Sequence, residues 1–210
     1  HQWRGPLANG LAPKGDPPVK WNESTNIKWK VAIPGTGSAT PIVWGNQIFV
    51  VSAIKTDRKP KELAGKAPPA KRPGGRGRFG GFRMSTPKPT TLYQFVIHCL
   101  DRATGKTLWQ KVAIEEVPHE GHHPTHGYAS ASPITDGQHL YVSFGSRGVF
   151  CFDLKGNFKW RRDFGDMRIK VGFGEGTSPA LHGDSLIVNW DHEGTSFITG
   201  LNAKTGKEIW

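Results

Sequence analysis

The chain has 210 residues, with 28 Lys or Arg against 17 Asp or Glu and a net charge of +11. Its 36% hydrophobic content and eight Trp are too much apolar surface for a wholly disordered protein. No run of about 18 apolar residues marks a membrane-spanning helix, and two cysteines cannot make a disulfide scaffold.

The basicity is local. Residues 55–91 hold 11 Lys or Arg and two acids, a net of +9, while the other 173 residues net +2. The same segment holds 12 Gly or Pro, including Pro68-Pro69 and GGRGRFGGF from Gly74 to Phe82. Such a stretch cannot bury a core and reads as a solvated insertion held open by self-repulsion. Its Arg, Gly and Phe also admit contact with phosphates and stacking on bases, or attraction to an anionic surface.

From the N-terminus, the first recognisable element is a strand, NIKW, ending at Trp29. Three copies of one unit follow. Each opens with a hydroxyl residue and Pro: Thr40-Pro41 before IVWGNQIFV, Ser132-Pro133 before ITDGQHLYV, and Ser178-Pro179 before ALHGDSLIV. Gly stands four residues after each Pro (Gly45, Gly137, Gly183) and Val nine after it (Val50, Val142, Val188). Each unit closes on a turn and a Trp: LDRATGKTLW at Trp109, FDLKGNFKW at Trp160, LNAKTGKEIW at Trp210. Pro133 to Trp160 is 27 residues and Pro179 to Trp210 is 31; Pro41 to Trp109 is also 31 once the 37-residue basic segment is set aside.

Within a unit, a brief strand after the Pro leads through a Gly turn into an alternating strand such as His139 to Phe144. Ser146-Arg147-Gly148 turns into Val149 to Phe152, and Asp153 to Gly156 turns into Phe158-Lys159-Trp160. Asp or Asn bonds its own backbone in such turns, and Gly supplies positive φ. Four strands in about 46–50 residues predict an all-β propeller of four-stranded blades. It is partial and open, with about three blades and an N-terminal strand. Residues 1–36 form an extension whose strand completes a blade, and 37–112 the first blade with its insertion at 55–91. Residues 113–127 are a His-rich inter-blade loop, 128–165 the second blade, and 166–210 a third blade cut at its last strand. Trp29, Trp109, Trp160 and Trp210 pack between blades, and Gly105, Gly156 and Gly206 mark the closing turns. The WD40 alternative fails because these Trp follow a Thr-Gly-Lys-type turn and Trp-Asp does not recur there.

The phrases Asp101–Trp109 and Asn202–Trp210 resemble the tryptophan-docking motif of pyrroloquinoline-quinone-type (PQQ-like) propeller repeats. That superfamily includes quinoprotein alcohol dehydrogenases, the outer-membrane barrel-assembly lipoprotein, and PQQ-like repeat proteins of unassigned role. The opening His1 to Pro6 with Asn26 to Trp29 is similar to the start of such repeat proteins. The resemblance implies a propeller for residues 37–210 outside the insertion. Relatives with quinone chemistry hold the cofactor between a Trp and a disulfide of adjacent cysteines, with Ca²⁺ on Glu, Asn and Asp and an Asp base. Here Cys99 and Cys151 each lie two residues before a turn Asp in different blades, and read as buried free thiols. Pyrroloquinoline quinone or a divalent metal therefore enters as a cofactor by resemblance alone.

The most unusual polar cluster is His119-Glu120-Gly121-His122-His123-Pro124-Thr125-His126. Its four imidazoles suit Zn²⁺, Cu²⁺ or Fe²⁺; the alternative is a loop whose histidines cap backbone groups. It is not the metalloprotease HExxH pattern, because His122 follows Glu120 by two residues. Asp191-His192-Glu193 offers proton transfer or a second ligand set, or a plain hairpin turn. Gly172-Phe-Gly-Glu-Gly176 precedes a strand and reads as a turn. No Gly-x-Ser-x-Gly elbow or strand-to-helix phosphate loop appears.

These readings make the chain an extracytoplasmic, non-catalytic binding or scaffold module. Its inter-blade loops meet a protein or small-molecule ligand, and further blades complete the ring. A fragment of a quinoprotein-type oxidoreductase, or a metal enzyme using the His-rich loop, is the alternative. Nucleic-acid binding through 55–91 is a third reading. The chain starts at His1 with no visible signal peptide, so the periplasm or cell surface is expected from the resemblance.

Overall fold

A computed structural model describes residues 2–5, 7–12, 14–61 and 86–210. Residues 62–85 lie outside it, and the readings of the basic insertion fall largely on them.

Alternation and tight turns produce, among the described residues, 11 strands in three antiparallel meanders. The first orders β1 (Ile42–Trp44), β2 (Gln47–Lys55), β3 (Tyr93–Asp101) and β4 (Thr107–Glu116). The second orders β5 (Ile134–Thr135), β6 (His139–Ser143), β7 (Val149–Asp153) and β8 (Phe158–Arg162). The third has β9 (Ala180–His182), β10 (Ser185–Trp190) and β11 (Phe197–Asn202), with a Leu201–Glu208 bridge where a fourth strand begins. Among the described residues there is no α-helix. The three sheets are blades of a partial, open β-propeller.

Lys55 pairs with Tyr93, and Thr56 N–H donates to the Leu92 carbonyl at 3.0 Å. The basic segment therefore leaves and rejoins at a β2–β3 hairpin, without disturbing the blade register.

The middle blade is apolar on both faces, because each face packs on a neighbour. Leu140, Val142 and Phe144 join Phe49, Phe95 and Ile97 in the core between the first two blades. Tyr141, Val149 and Cys151 point the other way, to Leu186, Val188 and Leu201 of the third. Period-2 alternation thus sorts one strand between two cores.

Two polar contacts recur at the junctions. The Trp29 indole N–H donates to the Arg102 carbonyl at 3.0 Å, Trp109 to Leu154 at 3.1 Å, and Trp160 to Ala203 at 2.9 Å. Each acceptor follows a turn Asp or Asn, and each ring lies on the turn glycine: Gly105, Gly156 or Gly206. All three glycines have positive φ, and a Cβ there would strike the indole. Nearer the inner strands, Thr40 N–H donates to the Ser132 hydroxyl at 3.0 Å, and Ser132 N–H to the Ser178 hydroxyl at 2.9 Å. The repeated hydroxyl-Pro phrase is therefore an inter-blade contact, with the hydroxyl of one blade accepting from the blade before it.

Candidate functional site

At one end of the blades, three connections meet: residues 117–131 between the first and second blades, the β6–β7 turn, and residues 163–179 leading to the third blade. They enclose a cleft with about 510 Å³ of empty space, including the part open to solvent. The centre of a water molecule can occupy about 30 Å³ of it.

Glu175 is a half-buried carboxylate on this cleft. Its carboxylate accepts from the Ser146 backbone N–H at 2.6 Å and from the Ser146 hydroxyl at 2.5 Å. Gly145, at φ +55°, lies against it, and a Cβ there would overlap the carboxylate oxygen. Burial pushes Glu175 above the ordinary carboxylate range, against the opposing pull of the Ser146 hydrogen bonds and of His119 and Arg147.

Arg147, in the same turn, ties the connections together. Its guanidinium donates to Glu116 at 2.7 Å, to the Val117 carbonyl at 3.3 Å, and to Asp166. His119 Nε2 lies 2.6 Å from the Met167 carbonyl, and its Nδ1 lies 3.3 Å from Arg147. A hydrogen on Nε2 satisfies both contacts, since a carbonyl only accepts and a guanidinium only donates.

The other histidines also hold the loop. His122 Nδ1 donates to the His123 carbonyl at 2.7 Å, and its ring meets Tyr128 edge-on at 4.5 Å. His123 Nδ1 lies 2.8 Å from the Thr125 hydroxyl, and its ring packs on Phe173. His126 lies beside Gly174 and Gly176, and burial, helped by His122 and His123, lowers its pKa. Its buried Nδ1 has no hydrogen-bond partner among the described residues. Among those residues no three His, Cys, Asp or Glu side chains form a group that could hold a metal ion.

Asp191-His192-Glu193 occupies the β10–β11 turn. His192 Nδ1 accepts from Arg168 N–H at 3.0 Å and Gly194 N–H at 3.2 Å, and Asp191 accepts from the Ser196 hydroxyl at 2.9 Å. His119 and His192 thus hold adjacent residues, Met167 and Arg168. The two His-bearing loops converge on that dipeptide.

The quinone site implied by the resemblance includes a pair of adjacent cysteines. Cys99 and Cys151 are unpaired, buried in separate blades, and pushed by burial to about 11 and about 12. Among the described residues there is thus no adjacent-cysteine pair, and they do not fit the quinone site that the resemblance implies.

Sequence reasoning missed Glu175, Ser146 and Arg147. A lone carboxylate in the glycine run Gly172–Gly176, just before Ser178-Pro179, was the available signal. Its partner 29 residues earlier carried none.

Radial blades with a polar cleft built from their connections define a β-propeller repeat protein. A family model described as outer membrane protein assembly factor BamB matches residues 93–210, more than half of the chain. The chain belongs to that PQQ-like repeat family. A europium-containing methanol dehydrogenase superposes with a TM-score of 0.50 at 11% identity, covering 87% of this chain and 25% of that one, and shares the fold. A quinohemoprotein alcohol dehydrogenase from Pseudomonas putida gives 0.49 at 15% identity, covering 87% and 21%. BamB from Moraxella catarrhalis gives 0.36 at 17%, covering 58% and 33%. The chain spans between a fifth and a third of the length of these structures. No curated protein sequence matches it significantly.

Proposed function

We propose that this chain is part of an extracytoplasmic β-propeller that acts as a non-catalytic binding or scaffold module. It presents its inter-blade connections to a protein partner. One observation carries the reading: Arg147 braces the connections into a fixed rim, while Val171 and Phe173 stay 46% and 40% exposed on it. Apolar side chains held out on a braced loop are surface that a partner buries. Val171 also has φ +56°, an unusual conformation for a β-branched residue. The family's description as an outer-membrane assembly factor supports protein interaction and a place in the periplasm or at the cell surface. Further blades are part of the proposal, since Trp210 is 54% exposed whereas Trp29, Trp109 and Trp160 each lie on a turn glycine.

A photo-crosslinking residue at position 173, in cells producing the full-length protein, tests it. A discrete protein adduct is expected from 173 and none from Ala103, in the β3–β4 turn at the opposite blade end. No adduct from 173, or equal adducts from both positions, refutes it.

A further inference from the structure

The cleft beneath these connections has its own chemistry. We propose that it receives a primary ammonium group, with Glu175 as the anionic partner and Phe95, Phe144 and Tyr128 walling the alkyl stem. The inference rests on reading this end of the propeller as the binding face, and it specifies what enters it.

The charge balance at Glu175 is incomplete. Its side chain is 18% exposed, and its two hydrogen bonds come from one neutral residue, Ser146. Arg147 and His119, the nearby groups that draw on Glu175, place their hydrogen bonds elsewhere. Arg147 points its N–H groups at Glu116, Val117 and Asp166, and His119 Nε2, 3.7 Å from Glu175, lies on the Met167 carbonyl. Glu120, also on the cleft, accepts from Ile169 N–H at 3.1 Å. The charged side chains that line the cleft are thus two carboxylates, Glu120 and Glu175, against one guanidinium, Arg147, with the His119 imidazole beside Glu175. In a chain of net charge +11 this lining is acidic by one charge. A largely buried carboxylate whose nearby guanidinium is hydrogen-bonded to other groups is only partly compensated, and an incoming cation recovers part of its desolvation cost.

The geometry selects the cation. Each Glu175 oxygen already accepts one bond, so no open edge remains for a guanidinium to bind in parallel. An ammonium is compact and has three donors. It can use the remaining carboxylate lone pairs and the hydroxyls of Ser143 and Thr177, which also line the cleft. Phe95 and Phe144, edge to face at 5.3 Å, supply apolar walls for methylenes. A lysine side chain of a protein and a free alkylamine share this chemistry.

Calorimetric titration of the 210-residue chain at pH 7 tests the proposal. The probes are n-butylamine, its neutral isostere n-pentanol, and an acetylated, amidated Gly-Lys-Gly peptide. Saturable binding of butylamine but not pentanol is expected, falling by roughly tenfold or more in Glu175→Gln. Tighter binding of the peptide identifies a partner's lysine as the source, and binding of butylamine alone identifies a free amine. If Glu175→Gln fails to fold, the butylamine–pentanol comparison on the wild-type chain decides. No saturable amine binding, equal binding of pentanol, or undiminished binding by folded Glu175→Gln overturns the proposal. Adducts from position 173 without amine binding would leave the scaffold reading standing and remove this one. Amine binding without adducts would do the reverse.

Discussion

The Trp160 indole lies on Gly206 of the next blade, and its N–H reaches the Ala203 carbonyl at 2.9 Å. A flat ring on a residue without a side chain brings two sheets together, and the polar edge of the ring still finds an acceptor. Trp160 is 8% exposed and Trp210 is 54% exposed. Trp160→Ala should therefore cost about 3–5 kcal/mol in urea unfolding. Trp210→Ala in the same chain should stay within about 0.5 kcal/mol. Equal costs would show that burial of Trp160 against the next blade contributes nothing.

The hydroxyl contact makes a separable claim. Ser178→Ala leaves the Ser132 N–H, in a buried residue, without its acceptor. A loss of about 1–3 kcal/mol is expected, with Ser178→Thr retaining most of the stability. If Ser178→Ala and Ser178→Thr melt together, the hydroxyl does not couple the blades.

Arg147 reaches Glu116, Val117, His119 and Asp166 from one turn. Lysine keeps the charge but cannot fork between carboxylates. Arg147→Lys should speed amide hydrogen exchange in residues 116–119 and 163–168 while strands β6 and β7 keep their protection. Mass-spectrometric exchange measures this, and unchanged loop exchange would remove Arg147 as the brace.

His98 gives a pH dependence with a defined sign. It is 2% exposed, its Nε2 lies 2.9 Å from the Ser52 hydroxyl, and burial lowers its pKa. The unfolded chain therefore binds this proton first, near the ordinary histidine value of about 6.5. The His98 contribution to stability is complete above that pH and falls as pH drops through the folded pKa. His126, also lowered by burial, acts in the same direction. Unfolding free energy should decline as pH falls below about 6.5, and the His98 ring resonances should titrate below the ordinary histidine value.

Much of the blade was legible because its signals are local. Asp101 accepts from the Thr104 N–H and hydroxyl three residues on, and Asn202 repeats the arrangement with Thr205. Alternation through His139–Ser143 and the Trp after each turn act over similar distances. The His-rich loop was visible as a cluster, but composition could not show where each ring nitrogen turns. His119 was read with its neighbours as a candidate ligand, yet its Nε2 meets a backbone carbonyl 48 residues away.

The sequence by itself determined the repeat, its turns, the place of the insertion and the residues that close each blade. Those features follow from backbone preferences within about ten residues. Only the tertiary structure decided that Trp29 serves Gly105, that Ser178 serves Ser132, and that Glu175 is gripped by Gly145 and Ser146. These pairs lie 29 to 76 positions apart along the chain, and they meet because the blades stack face to face. Stacking brings the connections to one end, and that convergence turns a glycine-rich turn and a basic turn residue into the walls of a cleft.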